Sequence, residues 1–210
     1  MIIAFHNFKG GVGTTIFAAH TCALARELGI QVAGVAVDFK QELPRWLEGS
    51  QIPCIEIDLE HGHSDADLIV LDVQSHAEPP LAPDVWVLPI CDRTSAENAV
   101  DVSDRLQGHL IWLGNKGRKA TLPACLAEEV ELALPMPYSR ALHQAAEQRG
   151  IIWNIPELAH SSGARALRAT LRDVLMRAFV AAGETLPSAL KPRNLMTAGE
   201  IIQAAEPSIH

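Results

Sequence analysis

The sequence predicts an α/β protein with a mostly parallel, doubly wound sheet and helices on both faces. Three observations carry that prediction. Apolar strand-like runs alternate with helical patterns along most of the 210 residues. The first run, residues 2–5, leads into a glycine-rich turn from which a helical pattern departs (Ile16, Phe17, Ala19, Cys22, Ala23, Ala25). Chemically capable residues stand where later runs end, at Asp38, Asp72 and Asn115, and that is the edge at which open α/β sheets bind ligands.

Residues 7–15 (Asn-Phe-Lys-Gly-Gly-Val-Gly-Thr-Thr) form the turn around which the chain is organised. Strand, glycine-rich turn and helix, in that order, make a phosphate-binding loop. Glycines let the backbone approach a polyphosphate, and the amides at the helix N-terminus point at the anion. The usual pattern ends GK[ST], with the lysine on the β- and γ-phosphates and the hydroxyl on Mg²⁺. Here the lysine position is Thr14, Thr15 follows it, and a lysine stands earlier, at Lys9.

The helix after the loop is expected to run to about Leu28, where Gly29 stops it. Residues 31–37 form the next strand, and residues 53–57 a short one. A polar stretch follows (Asp58, Glu60, His61, His63, Asp65, Asp67). Its ligand types suit zinc, but no cysteine pair or helical HxxxH fixes a geometry, and an acidic loop is the plainer reading. Residues 67–72 are a near-continuous apolar run of the kind buried in parallel sheets. Strands are expected again at 85–90, 109–113 and 132–136. Thr94 to Glu97 opens a helix to about Gln107, residues 122–131 form another, and Tyr138-Ser139-Arg140 opens one ending at Arg149. Residues 163–182 are amphipathic: Leu167, Leu171, Val174, Leu175 and Ala178 face the core, and Arg165, Arg168 and Arg172 cluster beside them. Beyond Gly183 the composition turns linker-like around Pro187 and Pro192, with a further short helix at 197–205. The expected organisation is one domain, 1–182, and a C-terminal extension, 183–210.

With its early lysine, the stretch Lys9-Gly10-Gly11-Val12-Gly13-Thr14-Thr15 resembles KGGVGKT, the deviant Walker A motif of the ParA/MinD group of P-loop ATPases, at every position except Thr14. The resemblance covers residues 1 to about 180. It implies that Gly10, Gly11, Val12, Gly13, Thr14 and Thr15 bind ATP or ADP. It implies that Thr15 and Asp72 serve Mg²⁺, Asp72 through water as the Walker B equivalent. Asn115 and Pro137 would border the adenine, a simple strand-ending turn being the alternative for Asn115. Lys9 would reach across a homodimer to the partner's phosphates. In this group the second strand ends in DxD, whose second carboxylate positions the attacking water. A gapless alignment puts Lys40 at that place, whereas one inserted residue matches Asp38 to a catalytic aspartate. Val73-Gln74-Ser75-His76 stands where the group has its switch loop.

Charge and cysteine content narrow the partners. The formal net charge is −8, and residues 1–139 carry 9 basic and 19 acidic side chains against 8 and 4 in residues 140–193. The whole surface is therefore no glove for nucleic acid, but its basic C-terminal third can meet a polyanion. Arg165, Arg168 and Arg172 are the candidates for non-specific DNA contact, with solvated surface as the alternative. Cys22, Cys54, Cys91 and Cys125 are widely spaced, as expected of buried free thiols in a reducing compartment. The chain opens on a strand rather than a signal peptide, and no apolar run has the length of a membrane span. A cytoplasmic, potentially nucleoid-associated protein is expected.

The resemblance implies a nucleotide-dependent dimeric switch for DNA partition, plasmid segregation or cargo positioning. A small ParB-like or cargo-adaptor protein would be its partner, and Thr14 would leave hydrolysis weak or absent. The alternative is a pseudo-ATPase scaffold or localisation factor of the CpaE/TadZ kind, in pilus or conjugation machinery, that needs no nucleotide.

Overall fold

Six strands pair in the order β2-β3-β1-β4-β5-β6 in the computed structural model, which describes residues 1–37, 41–54, 65–74, 77–115 and 131–191. They are β1 (Ile2–His6), β2 (Val32–Val37), β3 (Leu68–Val73), β4 (Val85–Ile90), β5 (His109–Gly114) and β6 (Glu131–Leu132). Every pairing among them is parallel. Near-continuous apolar runs give this result because both faces of a parallel sheet must be covered, so successive side chains need two cores. Along β1, Ile3 and Phe5 enter one core while Ala4 enters the other.

The larger core lies under α1 (Thr14–Glu27), α2 (Glu42–Leu47) and α5 (Ser162–Ala181), with α4 (Arg140–Glu147) against α5. The smaller one lies under α3 (Arg93–Ser103), where Ala96 and Ala99 meet Trp86, Leu88 and Trp112. The doubly wound α/β expectation holds. In α5 the five residues expected to face the core are all fully buried. Leaving β1, the chain builds β2 and β3 on one side and then crosses to β4, β5 and β6 on the other. That reversal opens a crevice at the C-terminal end of β1.

Several boundaries differ from expectation, for local reasons. The helix expected at Thr94 begins at Arg93, because Asp92 is its N-cap and closes a capping box with Ser95. It ends at Ser103 rather than near Gln107. The Ser103 hydroxyl takes the Val100 carbonyl at 2.7 Å, and the chain tightens into i→i−3 bonds. The strand expected over 132–136 shrinks to Glu131–Leu132 plus a single bridge at Met136, since Pro135 and Pro137 have no N–H for a ladder. Glu131, expected at a helix end, opens that strand. The start of the extension is no bare linker: Ser188–Leu190 form a 3₁₀ turn, Leu190 is buried in the larger core, and Arg172 donates to the Ala189 carbonyl. Cys22 is buried as expected, whereas Cys54 and Cys91 are only half-buried. The expectations for Asp38 to Lys40, residues 55–64, Ser75 and His76, the helix at 122–130, Cys125 and residues 192–210 fall outside the described residues. No helix among the described residues is long and apolar enough to cross a membrane.

Candidate functional site

The glycine-rich loop leaves β1 at Asn7 and is tied down at both ends by buried amides. Asn7 donates through Nδ2 to the carbonyls of Pro89 (2.8 Å) and Ser95 (3.2 Å), and its Oδ1 accepts the Lys9 N–H at 2.8 Å. These bonds weld the start of the loop to the β4–α3 junction. At the other end Asn115, just past β5, donates through Nδ2 to the Val12 carbonyl at 2.7 Å. Asn115 is itself fixed by its N–H to Ile90 O, 2.7 Å, and by its bridge to Met136. A loop held this way is pre-shaped, so a ligand would find its backbone amides already oriented.

The glycines divide into those the fold requires and those it does not. Gly13 has φ +102°, and a Cβ there would stand 3.0 Å from Asn115 Nδ2 and 3.3 Å from the Phe17 ring. The protein's own packing demands glycine at that point. At Gly10 it does not: the backbone is ordinary and a Cβ would meet nothing within 4 Å. The open space above Gly10 is therefore what a bound group would use. α1 begins immediately after Gly13, which as N-cap brings no side chain, and no acidic residue stands in its first turn. The positive end of the helix is left facing outward, the arrangement that suits a phosphate.

Asp72 lies near the C-terminal end of β3, opposite Phe5 of β1, and is fully buried. Thr14 and Thr15 are half-buried at the start of α1. Pro137 is exposed one residue past the Met136 bridge, alongside Asn115. The topology thus gathers Lys9, Gly10, Gly11, Val12, Gly13, Thr14, Thr15, Asp72, Asn115 and Pro137 at one sheet edge. The donors fit a polyphosphate with a hard cation. Loop amides and a helix N-terminus suit the anion, and a hydroxyl with a carboxylate suits Mg²⁺.

Lys9 is the loop's one cation, and its ammonium is paired with Asp92. The hydrogen bond to Asp92 raises the Lys9 pKa above its ordinary value. The same bond, with those from Ser95, holds the Asp92 carboxyl well below the usual carboxylate range. Asp92 also caps α3, accepting the Ser95 N–H at 2.8 Å.

Of the three α5 arginines, Arg168 is held away from this edge. Arg168 pairs with Glu27, the last residue of α1, and lies over the Trp153 ring at 4.4 Å. Glu27 is thirteen residues past Thr14, about 20 Å along the helix. Arg165 donates to the His160 carbonyl at 2.6 Å, and Arg172 to that of Ala189. Each expected DNA contact thus has an internal partner.

Sequence reasoning missed Asn7, Asp92 and His20 as positioning residues. Asp92-x-x-Ser95 is a readable capping pattern. Nothing local distinguishes Asn7 or His20, whose tying partners Pro89 and Ile152 lie 82 and 132 residues away in the chain.

No protein-family model and no curated protein matches the sequence. Solved structures do match it in fold. The septum site-determining protein MinD of Pyrococcus horikoshii, complexed with Mg-ADP, superposes with a TM-score of 0.65 at 14% identity, over 86% of this chain and 98% of that one. The MinD cell division protein of Aquifex aeolicus gives 0.62 at 16% identity, over 89% and 98%. A plasmid partition protein of Borrelia burgdorferi bound to AMPPNP, itself described as putative, gives 0.60 at 14% identity, over 84% and 98%.

Proposed function

The chain has the fold of the ParA/MinD-type P-loop ATPases, and we propose that it binds ATP or ADP with Mg²⁺ on residues 9–15 and acts as a nucleotide-dependent dimeric switch with weak hydrolysis. The observation that carries this reading is the open, braced loop: Gly10 answers to no contact inside the protein, while Asn7 and Asn115 hold the backbone ready. Loop amides and the start of α1 would hold the phosphates, Thr15 and Asp72 the cation, and Asn115 and Pro137 would border the base. Bound Mg²⁺ supplies charge neutralisation on the β- and γ-phosphates.

Thr14 sets the limit on chemistry. A hydroxyl offers no cation to charge developing on the phosphates, and a single such contact is worth about 3 kcal/mol, roughly a hundredfold in rate. Slow turnover suits a protein whose output is a bound state, such as a dimer seated on cargo or partner. DNA partition, plasmid segregation and positioning of a cargo through a ParB-like or other small adaptor are the tasks that fit. A DNA phosphate reaching Arg165, Arg168 or Arg172 would have to displace an internal partner from each. The test is phosphate release by wild type and Thr14→Lys. The reading expects a rise of about a hundredfold in the variant; equal rates, with the variant folded, would count against a working phosphate loop.

The scaffold reading keeps one observation in its favour. Lys9 is already satisfied inside its own chain by Asp92, so this cation does not by itself call for a nucleotide. Pulldown of the same partner with and without nucleotide separates the two readings.

A further inference from the structure

We infer that Asp92 is a positioning residue that holds Lys9 in a closed setting, so that a polyphosphate must compete with Asp92 for the loop's only cation. The inference rests on the nucleotide reading above and deepens it by naming an internal competitor.

Asp92 is well placed for this. Its backbone closes β4 into α3, and one carboxylate oxygen is fixed by the Ser95 N–H at 2.8 Å while the other takes Lys9. The Ser95 hydroxyl in turn accepts the Asp92 N–H at 2.9 Å. The carboxylate is therefore rigid. Apart from that pair, Lys9 is fixed at its backbone, through Asn7 Oδ1, and its long side chain stays partly exposed. In such a pair the cation is the member that moves. Rotating its stem frees the ammonium without disturbing the loop or the helix cap.

The arrangement also explains why the pair costs the fold little to open. About a third of the Lys9 side chain and nearly half of that of Asp92 are exposed, and an exposed pair is a weak contact. A trianionic or tetra-anionic ligand lying on the loop amides can outbid one carboxylate. Until it arrives, the carboxylate cancels the charge that would attract it. Affinity and selectivity for highly charged ligands would then be set partly by Asp92.

The experiment uses the full chain and the variants Asp92→Asn, Lys9→Ala and the double variant. Asparagine caps a helix about as well as aspartate, so Asp92→Asn is expected to keep α3. The first readout is the rate of Lys9 acylation by a water-soluble ester, followed by mass spectrometry. Asp92→Asn is expected to speed it severalfold. The second is calorimetric affinity for MgATP and for inorganic tripolyphosphate. Both are expected to bind about three- to fivefold more tightly to Asp92→Asn, the scale of one exposed ion pair, and no more tightly when Lys9 is already alanine. Unchanged acylation would overturn the closed setting itself. Faster acylation with binding tightened equally in the Lys9→Ala background would overturn competition for Lys9. Faster acylation with no polyphosphate bound by any variant would overturn the competition and the nucleotide reading while leaving the ion pair established.

Discussion

Among the described residues, His20 of α1 should weaken this protein in acid, and the size of the effect follows from its surroundings. The ring is completely buried, edge-on to Trp46 at 5.7 Å and Trp153 at 5.1 Å between centroids. Nε2 accepts the Ile152 N–H at 3.0 Å, and Nδ1 faces the Ile16 carbonyl at 2.7 Å and must donate to it. Only the neutral ring protonated at Nδ1 satisfies both bonds. Burial accordingly pushes the pKa down from 6.5 to about 4. Between those values the unfolded chain takes up a proton that the folded chain refuses. Stability is therefore full above pH 6.5 and lost as pH falls toward 4. The whole shift corresponds to about 3 kcal/mol, of which about 2 kcal/mol is lost between pH 7.5 and 5. Asp92 has its folded value lowered, so its contribution is lost only at pH values below the ordinary carboxylate range, while burial pushes the Cys22 and Cys54 thiols upward, away from this window. Urea unfolding at pH 7.5, 6 and 5, for wild type and His20→Gln, is the assay. The variant should be less stable at neutral pH and should show a pH slope shallower by about 2 kcal/mol across the window. Equal slopes would refute the tautomer argument. The consequence reaches the site, because His20 ties the helix that begins at the loop to the segment beyond α4.

Other expectations follow from the loop. Gly13→Ala should cost about 1–3 kcal/mol in urea melts, from its left-handed backbone and its clash with Asn115. Gly10→Ala should melt like wild type yet bind MgATP more weakly in calorimetry, because its Cβ fills only the open space over the loop. Asn115→Ala should lose about 1 kcal/mol, since the buried Val12 carbonyl loses its donor, and amide exchange in residues 10–14 should quicken. Replacing Arg165, Arg168 and Arg172 by alanine should lower stability through the contacts to Glu27, Trp153 and Ala189. A fluorescence-anisotropy titration with duplex DNA would show whether they also carry a DNA contact.

What could be read from the chain depended on the range of the interactions involved. Near-continuous apolar runs and Gly29 are local signals, so β1 to β5, α1 and α5 emerged close to their observed limits. The loop was legible because its glycines are consecutive in sequence. Its bracing was not. Asn7 meets Pro89 and Ser95, Asn115 meets Val12, and His20 meets Ile152, all partnerships made only after the sheet assembles. Lys9 was singled out as a charge for a partner's phosphates, but its pairing with Asp92 requires knowing that β4 lies beside β1. The arginines of α5 show the same limit from the other side. Their helical spacing reads as a basic face, yet the fold spends each on an internal acceptor. The capping box at Asp92 was locally readable, and the shift of α3 by one residue comes from choosing Thr94 as the start.

The measurement that bears most directly on the central claim is calorimetric titration of the protein with MgATP, wild type beside Lys9→Ala, with mass followed by light scattering. The account predicts saturable binding by wild type with a doubling of mass, and loss of that doubling in Lys9→Ala. No heat of binding at millimolar nucleotide, from a protein that is folded and unchanged in mass, would contradict it.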